Sequence, residues 1–179
     1  MTIRRLGTAT ALLLMTACSS HQYKDYVGDI DDPALKILDL SEGAADAPVI
    51  YFDTLQYREV GIPFHRLFLA TRADGKLLPD AGKKSIMDYS GYQALRMTPG
   101  EHSLEWCWVS MNKLGTGGGK CGFVVPSLHL EAGKRYLATW VATTNITGVR
   151  GREQMEITVE SYVIDRNTRE QILPKKGTM

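Results

Sequence analysis

The chain has 179 residues, 44% hydrophobic and 23% charged, with 21 Lys and Arg against 20 Asp and Glu for a formal net charge of +1. That balance argues against a nucleic-acid partner, whose binding surfaces are strongly basic. The length suits one globular domain with a single core.

The first residues set the compartment. Arg4 and Arg5 follow Met1-Thr2-Ile3, and an apolar or small-residue run extends from Leu6 to Ala17 before Cys18. A positive segment followed by a short apolar one is the order of a secretory signal. At about twelve residues the run falls short of the roughly twenty that span a bilayer. Residues 1–17 are therefore read as a cleavable signal peptide and not as a transmembrane helix. Its removal takes two arginines and no acid from the 21 and 20, leaving nineteen basic against twenty acidic side chains, a net charge of −1.

Leu14-Met15-Thr16-Ala17-Cys18 resembles the lipobox of bacterial lipoproteins, with Met15 where that pattern usually has Leu. The resemblance implies cleavage in front of Cys18, a diacylglycerol thioether on its sulfur and commonly a third, amide-linked chain. Each buried methylene contributes about 0.8 kcal/mol, so two or more chains hold a protein firmly on a membrane. Ser19 stands where lipoproteins retained in the inner membrane tend to have Asp, which implies the outer membrane, facing the periplasm. The alternative is a conventional signal with a cysteine close to the cut.

Behind the anchor, residues 18–47 read as a tether. Ser20 to Asp32 has no hydrophobic period. Asp32 as a cap and Pro33 at the first helical position suggest a short helix through Ala34-Leu35-Lys36-Ile37-Leu38. Beyond Pro48 the period is two. Runs rich in β-branched and aromatic residues predict strands at Val49 to Phe52, Arg66 to Thr71, Gln93 to Met97, His102 to Ser110, Cys121 to Val125, Arg135 to Thr143, Glu156 to Ile164 and Gln171 to Leu173. Asp74-Gly75, Pro99-Gly100, Ala132-Gly133 and Arg166-Asn167 supply the turns between them. In the seventh run Ile157, Val159 and Ser161 alternate with Glu156, Thr158 and Glu160, one face apolar and the other wet. Many short strands at this spacing predict an all-β domain over residues 48–174, an antiparallel β-sandwich of seven or eight strands, with a tail at 175–179.

Cys107 and Cys121 form an even pair in a chain that matures in an oxidising compartment. They flank the glycine-rich stretch from Met111 to Lys120, read as a turn between two antiparallel strands. Free thiols or a metal pair are the alternatives, but no nearby His or third Cys completes a zinc set. A disulfide is expected. Gly119-Lys120 suggests a phosphate-binding loop only superficially, because Leu114 and Cys121 occupy positions where that motif needs Gly and Ser or Thr.

Two turn motifs carry a second resemblance. Leu95-Arg96-Met97-Thr98-Pro99-Gly100-Glu101-His102-Ser103-Leu104 and Leu128-His129-Leu130-Glu131-Ala132-Gly133-Lys134-Arg135-Tyr136 are similar to the signature of prealbumin-like or PEGA-type β-sandwich modules found in small bacterial lipoproteins. The likeness covers about fifty residues, Leu95 to Thr143, and implies a fold and no chemistry.

No catalytic set assembles from the sequence. His102 and His129 fall where solvent-facing side chains are expected, His65 has no nucleophile signature beside it, and nothing says that Asp53 and Glu101 meet. No spaced metal-ligand set and no cofactor motif occurs. For binding, Arg150 and Arg152 in the loop from Thr143 could meet anionic sugars, phosphate groups or an acidic protein surface. Trp106 and Trp108 would fill core or groove. The leading expectation is a membrane-anchored, non-enzymatic module that binds an envelope protein or polysaccharide. A carrier of a small apolar ligand, with Trp106, Trp108 and Trp140 lining its pocket, is the second, and an envelope hydrolase the third.

Overall fold

The computed structural model describes residues 35–59, 62–83, 89–112, 117–149 and 154–173. Cys18, the expected lipid site, and the residues read as a signal peptide lie outside these residues, as do Arg150 and Arg152. Among the described residues no helix is long and apolar enough to cross a membrane.

The described chain is all-β. In order, the strands are β1 (Ile37–Leu40), β2 (Val49–Phe52), β3 (Thr54–Glu59), β4 (Ile62–Ala73), β5 (Lys76–Leu77), β6 (Gly82–Lys83), β7 (Tyr89–Ser90), β8 (Ala94–Met97), β9 (Gly100–Asn112), β10 (Gly117–Leu130), β11 (Arg135–Thr147), β12 (Gln154–Asp165) and β13 (Gln171–Leu173). A first sheet has the order β1-β8-β2-β11-β12-β13. A second has the order β10-β9-β4-β3, with β5 on β4, and β6 pairs β7 separately.

Three expectations are corrected. Ile37 and Leu38 do not continue a helix: Ile37–Leu40 is a strand whose register with β8 runs from Ala94 to Met97. The folded body thus begins before Pro48. The pairing is not purely antiparallel either, since β1 lies parallel to β8 and β2 parallel to β11. Parallel neighbours need a crossover connection. Here the second sheet provides it, because the chain leaves β2 through β3 and β4 and reaches β11 only after β9 and β10. Finally, the glycine-rich stretch is not all turn, as Gly117 to Lys120 pair with Met111 to Trp108.

Alternation places apolar side chains on both faces of both sheets. One cluster unites Ile50, Phe52, Leu95, Tyr136 and Val163 of the first sheet with Phe68, Ala70, Leu104, Trp106 and Leu128 of the second. Trp106 lies at its centre with no exposed surface. Its ring centroid is 5.7 Å from that of Phe52 and 5.8 Å from that of Phe68. Truncating such a side chain costs about 3–5 kcal/mol. The opposite face of the second sheet buries Leu67, Leu69, Cys107 and Val109 with Tyr89.

The segment carrying Tyr89 approaches that sheet closely. Ala70 and Tyr92 exchange backbone hydrogen bonds, and the Tyr89 hydroxyl donates to the Gly119 carbonyl. A Cβ at Gly91 would meet the Ala70 oxygen at 2.6 Å, and one at Gly119 the Trp108 oxygen at 2.7 Å. Glycine at these two sites is a condition of the packing.

Candidate binding surface

The glycine at 100 has φ +136°, a conformation open to it for want of a Cβ, and it opens β9 directly after Pro99. Pairing of Gly100 with Leu130 then sets Glu101 opposite His129. The His129 Nδ1 is 3.0 Å from Glu101 Oε1, and the Ser127 hydroxyl donates to Glu101 Oε2. These hydrogen bonds, that of Ser127 first, hold the Glu101 carboxyl below its ordinary value, with the His129 and His102 charges adding to the effect.

His102 is not a solvent-facing residue as expected. Its side chain is 10% exposed, with Nδ1 2.9 Å from Asp74 Oδ2 and Nε2 2.8 Å from the Thr98 carbonyl. Asp74 also accepts from the Ser103 backbone N–H through its other oxygen. Asp74, at φ +50°, and Gly75, at +73°, make the turn between β4 and β5. The imidazole therefore ties that turn to the start of β9. His129, by contrast, is 61% exposed, as its alternating position suggested.

The order of contacts in this cluster governs its chemistry. Nucleophilic catalysis needs the imidazole against the serine and the carboxylate behind the imidazole. Here Glu101 stands between Ser127 and His129, so the serine proton is donated to a carboxylate of lowered basicity. The arrangement is a cross-strand tie. Ser127 was not singled out in the sequence, although it shares a strand face with His129 two residues on.

Asp53 does not approach Glu101 as a partner. It occupies the single step between β2 and β3, where its N–H donates to the Ala138 carbonyl of the first sheet and its carbonyl accepts from the Phe68 N–H of the second. Its carboxylate accepts from the Thr139 hydroxyl and from the Thr54 N–H. Burial raises its pKa in spite of these bonds and of the nearby Arg169.

Comparison with family models, with curated proteins and with solved structures returns no match to this chain. Among the described residues no group of three His, Cys, Asp or Glu side chains comes together for a metal.

The tryptophans separate by depth. Trp106 is core, Trp108 is 8% exposed, and Trp140 is half-buried with its ring edge-on to Phe68 at 4.9 Å. The indole N–H groups of Trp106 and Trp108 are buried and have no acceptor among the described residues. Around Trp108 and Trp140 the core thins into partly buried Phe123, Val125, Ile157 and Val159. Cations border this aromatic wall: Arg66 lies 5.9 Å from the Trp108 ring centroid and Lys120 5.9 Å from that of Phe123. The wall is missed by a reading in local order, because its members come from four strands and meet only once the two sheets are assembled.

Cys107 and Cys121 are joined by a disulfide. The register passes from Lys120 opposite Trp108 to Phe123 opposite Trp106, so Cys121 and Gly122 both face Cys107 in a bulge. Gly122 takes the positive φ of +87° that the bulge requires.

Proposed function

We propose that this chain is an exported bacterial lipoprotein, held in the outer membrane by acyl chains on Cys18, whose β-sandwich body binds an envelope protein or polysaccharide without catalysing a reaction. The observation that carries the reading is the Cys107 to Cys121 disulfide between neighbouring strands. Such bonds persist in oxidising compartments, and the arginines, apolar run and cysteine of residues 4–18 supply an export route to one. A core cluster drawn from both sheets supports a sandwich of the prealbumin-like or PEGA type, though with mixed pairing. The surface offered to a partner is the aromatic wall of Trp108, Phe123 and Trp140 with Arg66 and Lys120 at its border; Arg150 and Arg152, between β11 and β12 in sequence, are the other candidate contacts. Aromatic faces and guanidinium groups together suit sugar rings and anionic substituents.

A carrier function is the second reading. The buried indole N–H of Trp108, without an acceptor among the described residues, favours it, because a ligand with an apolar body and one carbonyl would satisfy that donor.

Fractionation of cells producing the wild type and Cys18→Ser tests the anchor. The wild type is expected in the membrane fraction and the variant in the soluble one; equal membrane retention of both would remove the lipid from the account.

A further inference from the structure

We infer that β11 pairs with β11 of a second copy of this chain, joining two first sheets edge to edge. Strand β2 pairs with β11 only from Arg135 to Ala138, whereas β12 accompanies it to Thr147. Beyond Ala138, among the described residues, one edge of β11 has no partner strand from Thr139 to Thr147. At about 3.4 Å per residue this is an open edge of roughly 30 Å.

The direction of its backbone groups follows from two hydrogen bonds. Ala138 accepts from Asp53 on the β2 side, and Arg135 accepts from Arg166 on the β12 side. The register with β12 is unbroken to Thr147, so even-numbered residues keep facing away from β12. Trp140, Ala142, Thr144 and Ile146 thus present four N–H donors and four carbonyl acceptors at the open edge.

Natural sheets blunt their edges with short strands, charges, Pro or bulges. Among the described residues the other edges do so. Strands β1 and β13 have four and three residues, and β12, which runs past β13 from Gln154 to Tyr162, carries Glu156 and Glu160 there. Strand β3 carries Arg58 and Glu59, and β10 carries Lys120, Pro126 and two register shifts. Thr139-Trp140-Val141-Ala142-Thr143-Thr144-Asn145-Ile146-Thr147 has no charge, no Pro, no Gly and no bulge. An edge of this length and composition is built to be covered.

The sequence selects a second copy as its occupant. An uncharged strand meets itself without like-charge repulsion. Antiparallel pairing about a two-fold axis at Thr143 places Trp140 opposite Ile146 of the second copy and Ala142 opposite its Thr144. Every outward-facing residue then meets an outward-facing residue, and the eight groups of each copy find partners. Ile146, 68% exposed in one copy, would cover the half-buried Trp140 of the other. This inference does not depend on the lipid anchor.

The register gives a sharp test. Two Thr143 residues on the axis form a non-hydrogen-bonded pair with Cα atoms about 4.5 Å apart, within disulfide reach. The full mature chain carrying Thr143→Cys, purified in detergent and mildly oxidised, is expected to give a reducible covalent dimer. Val141→Cys, whose partner position is Asn145, is expected to link at least tenfold more slowly. Ala142→Pro removes an N–H from the open edge and none from the β12 ladder, and is expected to sediment as a monomer with an unchanged circular dichroism spectrum. Equal linking at 141 and 143, or a wild type that stays monomeric at tens of micromolar, would overturn the pairing. So would a monomer that binds an unrelated extended peptide at this edge.

Discussion

The Thr139 hydroxyl of the first sheet hydrogen-bonds the Asp53 carboxylate at the point where the chain leaves that sheet for the second. The same aspartate bonds both sheets through its backbone, so one residue fixes the crossing. Burial, the largest influence on the carboxyl, holds its pKa above the ordinary value against hydrogen bonds from Thr139 and Thr54. The folded chain therefore keeps this proton to higher pH than the unfolded chain does. Stability from this group is greatest below the ordinary carboxylate value and falls as pH rises to the raised one. Urea unfolding across that window is expected to show the decline in the wild type and a flatter profile in Asp53→Asn. Asp53→Ala leaves the Thr139 hydroxyl and the Thr54 N–H without their acceptor, at a cost of about 1–3 kcal/mol. Identical pH profiles for wild type and Asp53→Asn would contradict this account.

Two glycines allow the segment around Tyr89 to lie against the second sheet. Gly91→Ala would set a methyl 2.8 Å from the Leu69 Cβ, and Gly119→Ala one 3.0 Å from the Tyr89 ring, besides the closer backbone oxygens. Each is expected to lower stability by about 1–3 kcal/mol through overpacking. Gly118→Ala, which meets nothing within 4 Å, is the control and should shift the urea midpoint little. Equal effects at 118 and 119 would argue that the close approach is not what holds this segment.

Much of the strand pattern was legible because turns are local chemistry. Asp74-Gly75, Ala132-Gly133 and Arg166-Asn167 each lie in a turn between strands, and Pro99 is a bend directly before β9. Strands β2 and β13 have the bounds the sequence predicts. Strand β1 was not legible, since Ile37-Leu38 becomes extended only by pairing with β8, more than fifty residues away. Strand β3 was hidden because Asp53 alone separates it from β2, with no Gly or Pro to announce the change of sheet. Parallel pairing is a property of the path between strands, which alternation does not encode. The same holds for the candidate site. His102 read as exposed because its burial depends on Asp74, 28 residues earlier, and Glu101 and Ser127 meet only through the β9–β10 register.

The disulfide closes a loop between residues fourteen apart in sequence. Cross-linking a loop of this size contributes on the order of 3 kcal/mol by restricting the unfolded chain. Cys107→Ala with Cys121→Ala, or reduction of the wild type, is expected to lower the unfolding free energy by about that amount in urea. Two alkylatable thiols in the native, unreduced protein would remove the cross-link from the structure and the strongest support for an oxidising compartment with it.

Intact mass analysis of the mature chain, purified from the membrane, tests the whole account most directly. The expected product begins at Cys18 and exceeds the polypeptide mass by a diacylglycerol and a further acyl chain. A mature chain that begins elsewhere, or at Cys18 with its bare polypeptide mass, would contradict the anchor and the placement built on it.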